Sequence, residues 1–144
     1  MRGGLEQIAV VEQGRIFRTG TPVEFRYVRS TARAPYFGSR YQQDLEPHGR
    51  YLLHNEEPGD LAHGWETGMV QFAAPLVIPF NACDGAYDAC SWKAKLVAAY
   101  RRRGRALSRA LLEAGFDAVI TVGTHRGVPQ DTREIVDLSV LRDR

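Results

Sequence analysis

Hydrophobic and polar positions alternate most regularly from Val23 to Val28, where Val23, Phe25 and Tyr27 stand against Glu24 and Arg26. A period of two marks a strand with one buried face and one solvated face. The preceding stretch, Arg15 to Thr19, is short and partly apolar, and Gly20, Thr21 and Pro22 follow it as a turn signal. Ser30 to Pro47 shows no period and contains Pro35, Gly38 and Pro47. It reads as a long loop with at most one helical turn, and a loop of that length in a compact domain is often functional. Gly49 to His54 reads as a short strand. Pro58 to Trp65 suits a short helix with proline near its first turn. Met69 to Phe80 is a long β-prone run, and Pro75 within it predicts an edge position, a bulge or a break between two strands.

Helical spacing takes over between Asp84 and Gly115. Trp92, Leu96, Ala99 and Tyr100 form one such set, and Leu107, Ala110, Leu111 and Ala114 form another. Gly104 interrupts the helical stretch without dividing a domain, and Gly115 is placed to cap a helix. Asp117 to Val122 reads as a buried strand, Gly123 to Thr132 as a polar turn region, and Glu134 to Val140 as a final strand. Strands, then helices, then strands predict an α+β fold with a mixed sheet. A doubly wound parallel sheet would alternate strand and helix.

Length and composition leave that picture intact. The chain has 144 residues, 44% hydrophobic and 25% charged, which is the make-up of a single folded domain, 1–144. A net charge of +2 says little about partners. Arg101, Arg102, Arg103, Arg105 and Arg109 crowd one stretch; the simpler reading is a solvated helix face, and the other is a contact for phosphate or RNA. Cys83 and Cys90 lack further ligands at zinc spacing, so no metal site is predicted. Met1 to Val11 has no signal-peptide shape, and no stretch approaches the roughly 20 apolar residues of a membrane span. The expectation is a cytoplasmic protein with no membrane partner, in the host cytoplasm for a phage protein or delivered effector.

Four segments carry candidate chemistry. Arg18, in Ile16-Phe17-Arg18-Thr19-Gly20, stands at a strand exit, where its planar fork can grip a phosphate or carboxylate. Gly49 permits close approach of a ligand or of backbone, and Tyr51 can stack on a flat ring or simply fill a core strand. Ala73 to Ile78 is a strand with a proline-marked irregularity. Glu134 opens an otherwise apolar strand, and taken alone it fits a cleft carboxylate and a solvated strand end equally well.

In this order the four segments resemble the ADP-ribosyltransferase superfamily, in particular its compact bacterial and phage-type members. Phe17-Arg18-Thr19 looks like the family's first-strand element. Gly49 and Tyr51, followed by Pro58, Ala62 and Trp65, resemble its second strand and the short helix after it. Ala74-Pro75-Leu76, Gly115-Phe116-Asp117-Ala118-Val119 and Glu134-Ile135-Val136-Asp137-Leu138 resemble three further strands. The resemblance spans Arg15 to Leu141 and implies a split mixed β-sheet core with a few helices.

It also implies an activity: mono-ADP-ribosyltransfer from NAD, as co-substrate, to a protein or nucleic-acid acceptor, as in toxins and phage effectors. Glu134 would be the catalytic carboxylate. Arg18, the Thr19 backbone, Tyr51, and Tyr36 and Phe37 from the long loop would hold NAD. Leu53 stands where the family often has serine or threonine, and His54 would supply that polar function in a register shifted by one. Thr132 stands where members that modify arginine carry glutamate or glutamine, which argues against an arginine acceptor. The alternatives are an NAD glycohydrolase, with water as acceptor, and an inactive version of the fold that binds protein or RNA. Acceptor choice is expected in the loops Ser30–Pro47 and Gly123–Thr132.

Overall fold

The computed structural model describes residues 11–12, 15–16, 23–31, 41–81, 91–125 and 128–142, with backbone alone at 11–12, 15–16, 124–125 and 128–131. Two short strands, β1 (Val11–Glu12) and β2 (Arg15–Ile16), form a separate two-stranded sheet. Six strands build the main sheet: β3 (Val23–Ser30), β4 (Arg50–His54), β5 (Trp65–Phe72), β6 (Pro75–Pro79), β7 (Ala118–His125) and β8 (Val128–Asp137). Their order is β5-β3-β4-β8-β7-β6. All neighbours are antiparallel except β6 and β7. Two helices, α1 (Trp92–Tyr100) and α2 (Gly104–Glu113), lie between β6 and β7 in the chain. The fold is α+β with a mixed sheet.

The helices cover one face of the sheet. Trp92 and Leu96 of α1 and Leu107 and Leu111 of α2 pack with Leu76, Ile78, Val119 and Val136, all at most 2% exposed. Ser91 caps α1 by accepting a hydrogen bond from the Ala94 N–H at 3.1 Å. Arg101, at φ 56°, ends α1 in the left-handed region, and Gly104, at φ 58°, opens α2. Gly115 terminates α2 as the sequence predicts. Its N–H donates to Leu112 O and the Phe116 N–H donates to Leu111 O, the paired bonds of a Schellman ending. The opposite face buries Phe25, Tyr27, Leu52, Phe72, Val77, Ile120 and Ile135.

Three sequence expectations change. Pro58 to Trp65 is not helical: Gly59 and Gly64 adopt φ of 61° and 89°, which break a helix, and Trp65 opens β5. By contrast, the run from Met69 to Phe80 behaves as its proline predicts: it breaks at Ala73–Ala74 into two strands, and Pro75 starts β6 at the sheet's edge. The Asp117 carboxylate holds that break by accepting from the Ala73 and Ala74 N–H groups at 2.8 and 3.2 Å. Gly123 to Thr132 is largely the two arms of a hairpin rather than a turn region, and β8 stops at Asp137, before a 3-10 turn over Ser139–Leu141. Among the described residues, no helix is long and apolar enough to cross a membrane.

Candidate active site

The pairing between β3 and β4 is short. Only Tyr27↔His54 and Val28↔Leu53 are partners, whereas β3 and β5 share eight pairs. Beyond Val28 the two strands part. The sheet nevertheless stays continuous there, a single six-stranded sheet rather than the split core that the resemblance implies. A cleft of about 200 Å³ occupies the wedge, lined by Val28, Arg29 and Ser30 of β3, Tyr51, Leu52 and Leu53 of β4, Trp65 and Glu134.

Glu134 reaches this cleft from an unexpected position. It is not at a strand mouth but is the seventh of the ten residues of β8. Leu53 is its partner across β4, so both side chains share the helix-covered face with Tyr51 and Val136. On its other side β8 carries a bulge. Ile120 pairs with Ile135 and Val122 with Thr132, so Thr121 alone stands opposite both Arg133 and Glu134. The Thr121 hydroxyl accepts from the Glu134 N–H and donates to the Glu134 carbonyl, both at 2.8 Å. Glu134 is 9% exposed.

The bulge also separates Glu134 from Thr132. Through its partner Val122, Thr132 belongs to the opposite face, and its buried hydroxyl has no hydrogen-bond partner among the described residues. The residue two before the glutamate therefore does not share its side of the sheet.

Tyr51 lines the cleft but is a core side chain, 5% exposed, and its hydroxyl donates to Pro47 O at 2.5 Å. Burial above all, then the carboxylates of Glu46 and Glu134, pushes its phenol well above the ordinary range. It can form a wall, but its ring is mostly enclosed. The accessible flat ring is Trp65, 43% exposed, and Leu53 beside Glu134 is equally open. Gly49 is fixed by packing: a Cβ there would lie 2.6 Å from Val136 Cγ1 and 2.9 Å from Asp137 O. The close approach at Gly49 is therefore that of backbone and core.

His54 is not brought to Glu134. It projects from the other face, its ring 4.7 Å from that of Phe25 in an edge contact. Its Nε2 lies 3.4 Å from Glu56 Oε1, within ion-pair range yet without hydrogen-bond geometry. A one-residue shift reverses a side chain's face, so His54 cannot substitute for a polar group at position 53 in this register. Arg29 borders the cleft, but by strand alternation its side chain lies on the face of Tyr27 and His54, away from Glu134. It ion-pairs with Glu66 at 2.6 Å, and Arg50 approaches the same carboxylate at 3.8 Å. Arg18, Thr19, Tyr36 and Phe37 lie outside the described residues, as do Cys83 and Cys90.

The sequence alone assigns no role to Thr121, and it offers Trp65 only as a match to a helix. Thr121 left one signal: a hydroxyl within the apolar run Val119-Ile120-Thr121-Val122 needs a partner when buried. Among the described residues, no group of three or more His, Cys, Asp or Glu is placed to hold a metal ion. No known protein family, curated protein or solved structure matches the chain.

Proposed function

We propose that the chain is a mono-ADP-ribosyltransferase that uses NAD and acts on a macromolecule, through an ADP-ribosyltransferase-like fold. The observation that carries this reading is the meeting of Glu134, Leu53 and Trp65 at one cleft, where β3 and β4 part. The sequence resemblance supplies the identity of the chemistry.

The bond that breaks joins the ribose to the nicotinamide nitrogen. That nitrogen is already cationic, so the bonding electrons leave with a neutral nicotinamide and no acid is needed. The cost lies in the oxocarbenium-like ribosyl cation left behind. A carboxylate fixed beside the ribose and largely screened from water stabilises that charge as it develops. Glu134 takes this role. Trp65 and Leu53 offer an apolar wall for the nicotinamide ring. The acceptor then adds to the ribosyl carbon and its proton passes to solvent. With Thr132 on the opposite face, there is no second carboxylate at that position to activate a guanidinium, which favours an acceptor other than arginine.

Incubation with NAD labelled in the ADP-ribose portion tests the proposal. Label on protein or nucleic acid supports transfer, and free ADP-ribose alone supports hydrolysis by the same site. Absence of any nicotinamide release contradicts both. One observation favours a second reading, a polyanion-binding module: Arg101, Arg102, Arg103, Arg105 and Arg109 are all exposed, from the corner between α1 and α2 to the middle of α2. Steeply salt-dependent RNA binding without NAD binding would select it.

A further inference from the structure

We infer that Thr121 is the positioning residue for Glu134, through the bulge that aims the carboxylate into the cleft. The inference rests on the proposed function. Regular pairing would have given the Glu134 N–H and C=O partners on the β7 backbone. The bulge places two residues of β8 against one of β7, so the ladder is interrupted at Glu134. A hydroxyl can donate one hydrogen bond and accept others, and Thr121 does both, to the carbonyl and from the N–H of the same residue. It is 0% exposed, so no water replaces it from solvent. One buried side chain thus satisfies both backbone groups that the irregularity leaves over.

The bulge has two effects on the site. It sends Glu134 to the face of Leu53 and Tyr51, and it sends Thr132 to the other face. Without the hydroxyl, β8 gains by sliding one residue into regular register with β7. Such a slip reverses the side chains that follow it, and Glu134 would turn away from the cleft. Thr121 therefore acts on the reaction through the geometry of Glu134 and touches no substrate.

The test compares Thr121→Val, Thr121→Ser and, as a control, Ile120→Val from the same buried strand but the opposite face. Nicotinamide release is measured with kcat and KM resolved, alongside thermal melts and amide exchange at Glu134. Thr121→Val should lower kcat by about tenfold or more, the scale expected when a catalytic group is displaced by a fraction of its reach. KM for NAD should stay near wild type, and the Glu134 amide should lose protection. Thr121→Ser should restore both kcat and protection. The control should keep its kcat whatever its melting temperature. If Glu134→Gln abolishes nicotinamide release while Thr121→Val retains full kcat, the positioning role is overturned and the proposed function stands. If the wild-type protein releases no nicotinamide, the proposed function fails and this inference fails with it.

Discussion

Replacing Lys93 by methionine should destabilise the protein severely, and the reason lies in what Lys93 leaves behind. Its Nζ sits 2.6 Å from Glu46 Oε1 and donates to Tyr41 O at 2.7 Å. The two side chains are 2% and 0% exposed. An ion pair on the surface contributes at most about 1 kcal/mol, because water screens it. A buried pair broken on one side costs roughly 3–5 kcal/mol, since the remaining charge is stranded in a poor solvent. Against a typical total of about 5–15 kcal/mol, that is a large share. At roughly 3 °C per kcal/mol for a chain of this size, the melting point should drop by about 9–15 °C. The pair ties the segment at 41–49 to α1, and Pro47 in that segment accepts the hydrogen bond of Tyr51. Urea denaturation of Lys93→Met, Glu46→Leu and the double variant would measure the coupling. The double variant should recover most of the loss, because an apolar pair of similar volume is close to neutral there. A loss below about 1 kcal/mol in Lys93→Met, with additive effects in the double variant, would refute the burial argument.

Tyr51→Phe should cost about 1 kcal/mol by removing the buried hydrogen bond to Pro47. It should also change the alkaline limb of the stability curve. The native phenol titrates above the unfolded value of 10.0, so its contribution is fully present below that pH. Above it the unfolded chain binds fewer protons than the native one, and stability falls as pH rises. Denaturation curves from pH 8 to 11 should show a shallower fall in Tyr51→Phe; identical slopes would show that Tyr51 is not the group responsible. Trp65 offers an optical check, since the chain has two tryptophans and Trp92 is 2% exposed. Nicotinamide should quench the Trp65 emission saturably at low concentration, and Trp65→Phe should remove that component; saturable quenching unchanged in the variant would place the ring elsewhere.

Local chemistry made much of the fold legible. The alternation at Val23–Val28, the helical spacing from Trp92 and from Leu107, and the cap at Gly115 each follow from a local rule. The failures come from competing effects. Pro58 to Trp65 carries a helix-start proline, but two glycines at positive φ unwind it. Gly123 to Thr132 is polar enough to read as a turn, yet cross-strand pairing holds most of it as a hairpin. For the site, the sequence points to Glu134 and Tyr51 but not to how far each is open. Exposure is decided by the parting of β3 and β4, a non-local feature. Thr132 and Glu134, two apart in an ordinary strand, would share a face; only the pairing register shows the bulge that separates them.

The central claim is that Glu134 stabilises a ribosyl cation in the cleft. Glu134→Gln keeps the side chain's shape and removes its charge, so the direct measurement is nicotinamide release from NAD by this variant, with NAD affinity followed by calorimetry. The account predicts unchanged affinity and a rate lower by at least about a hundredfold, the scale of losing one preorganised charge-stabilising group. Nicotinamide release at the wild-type rate in Glu134→Gln would contradict it.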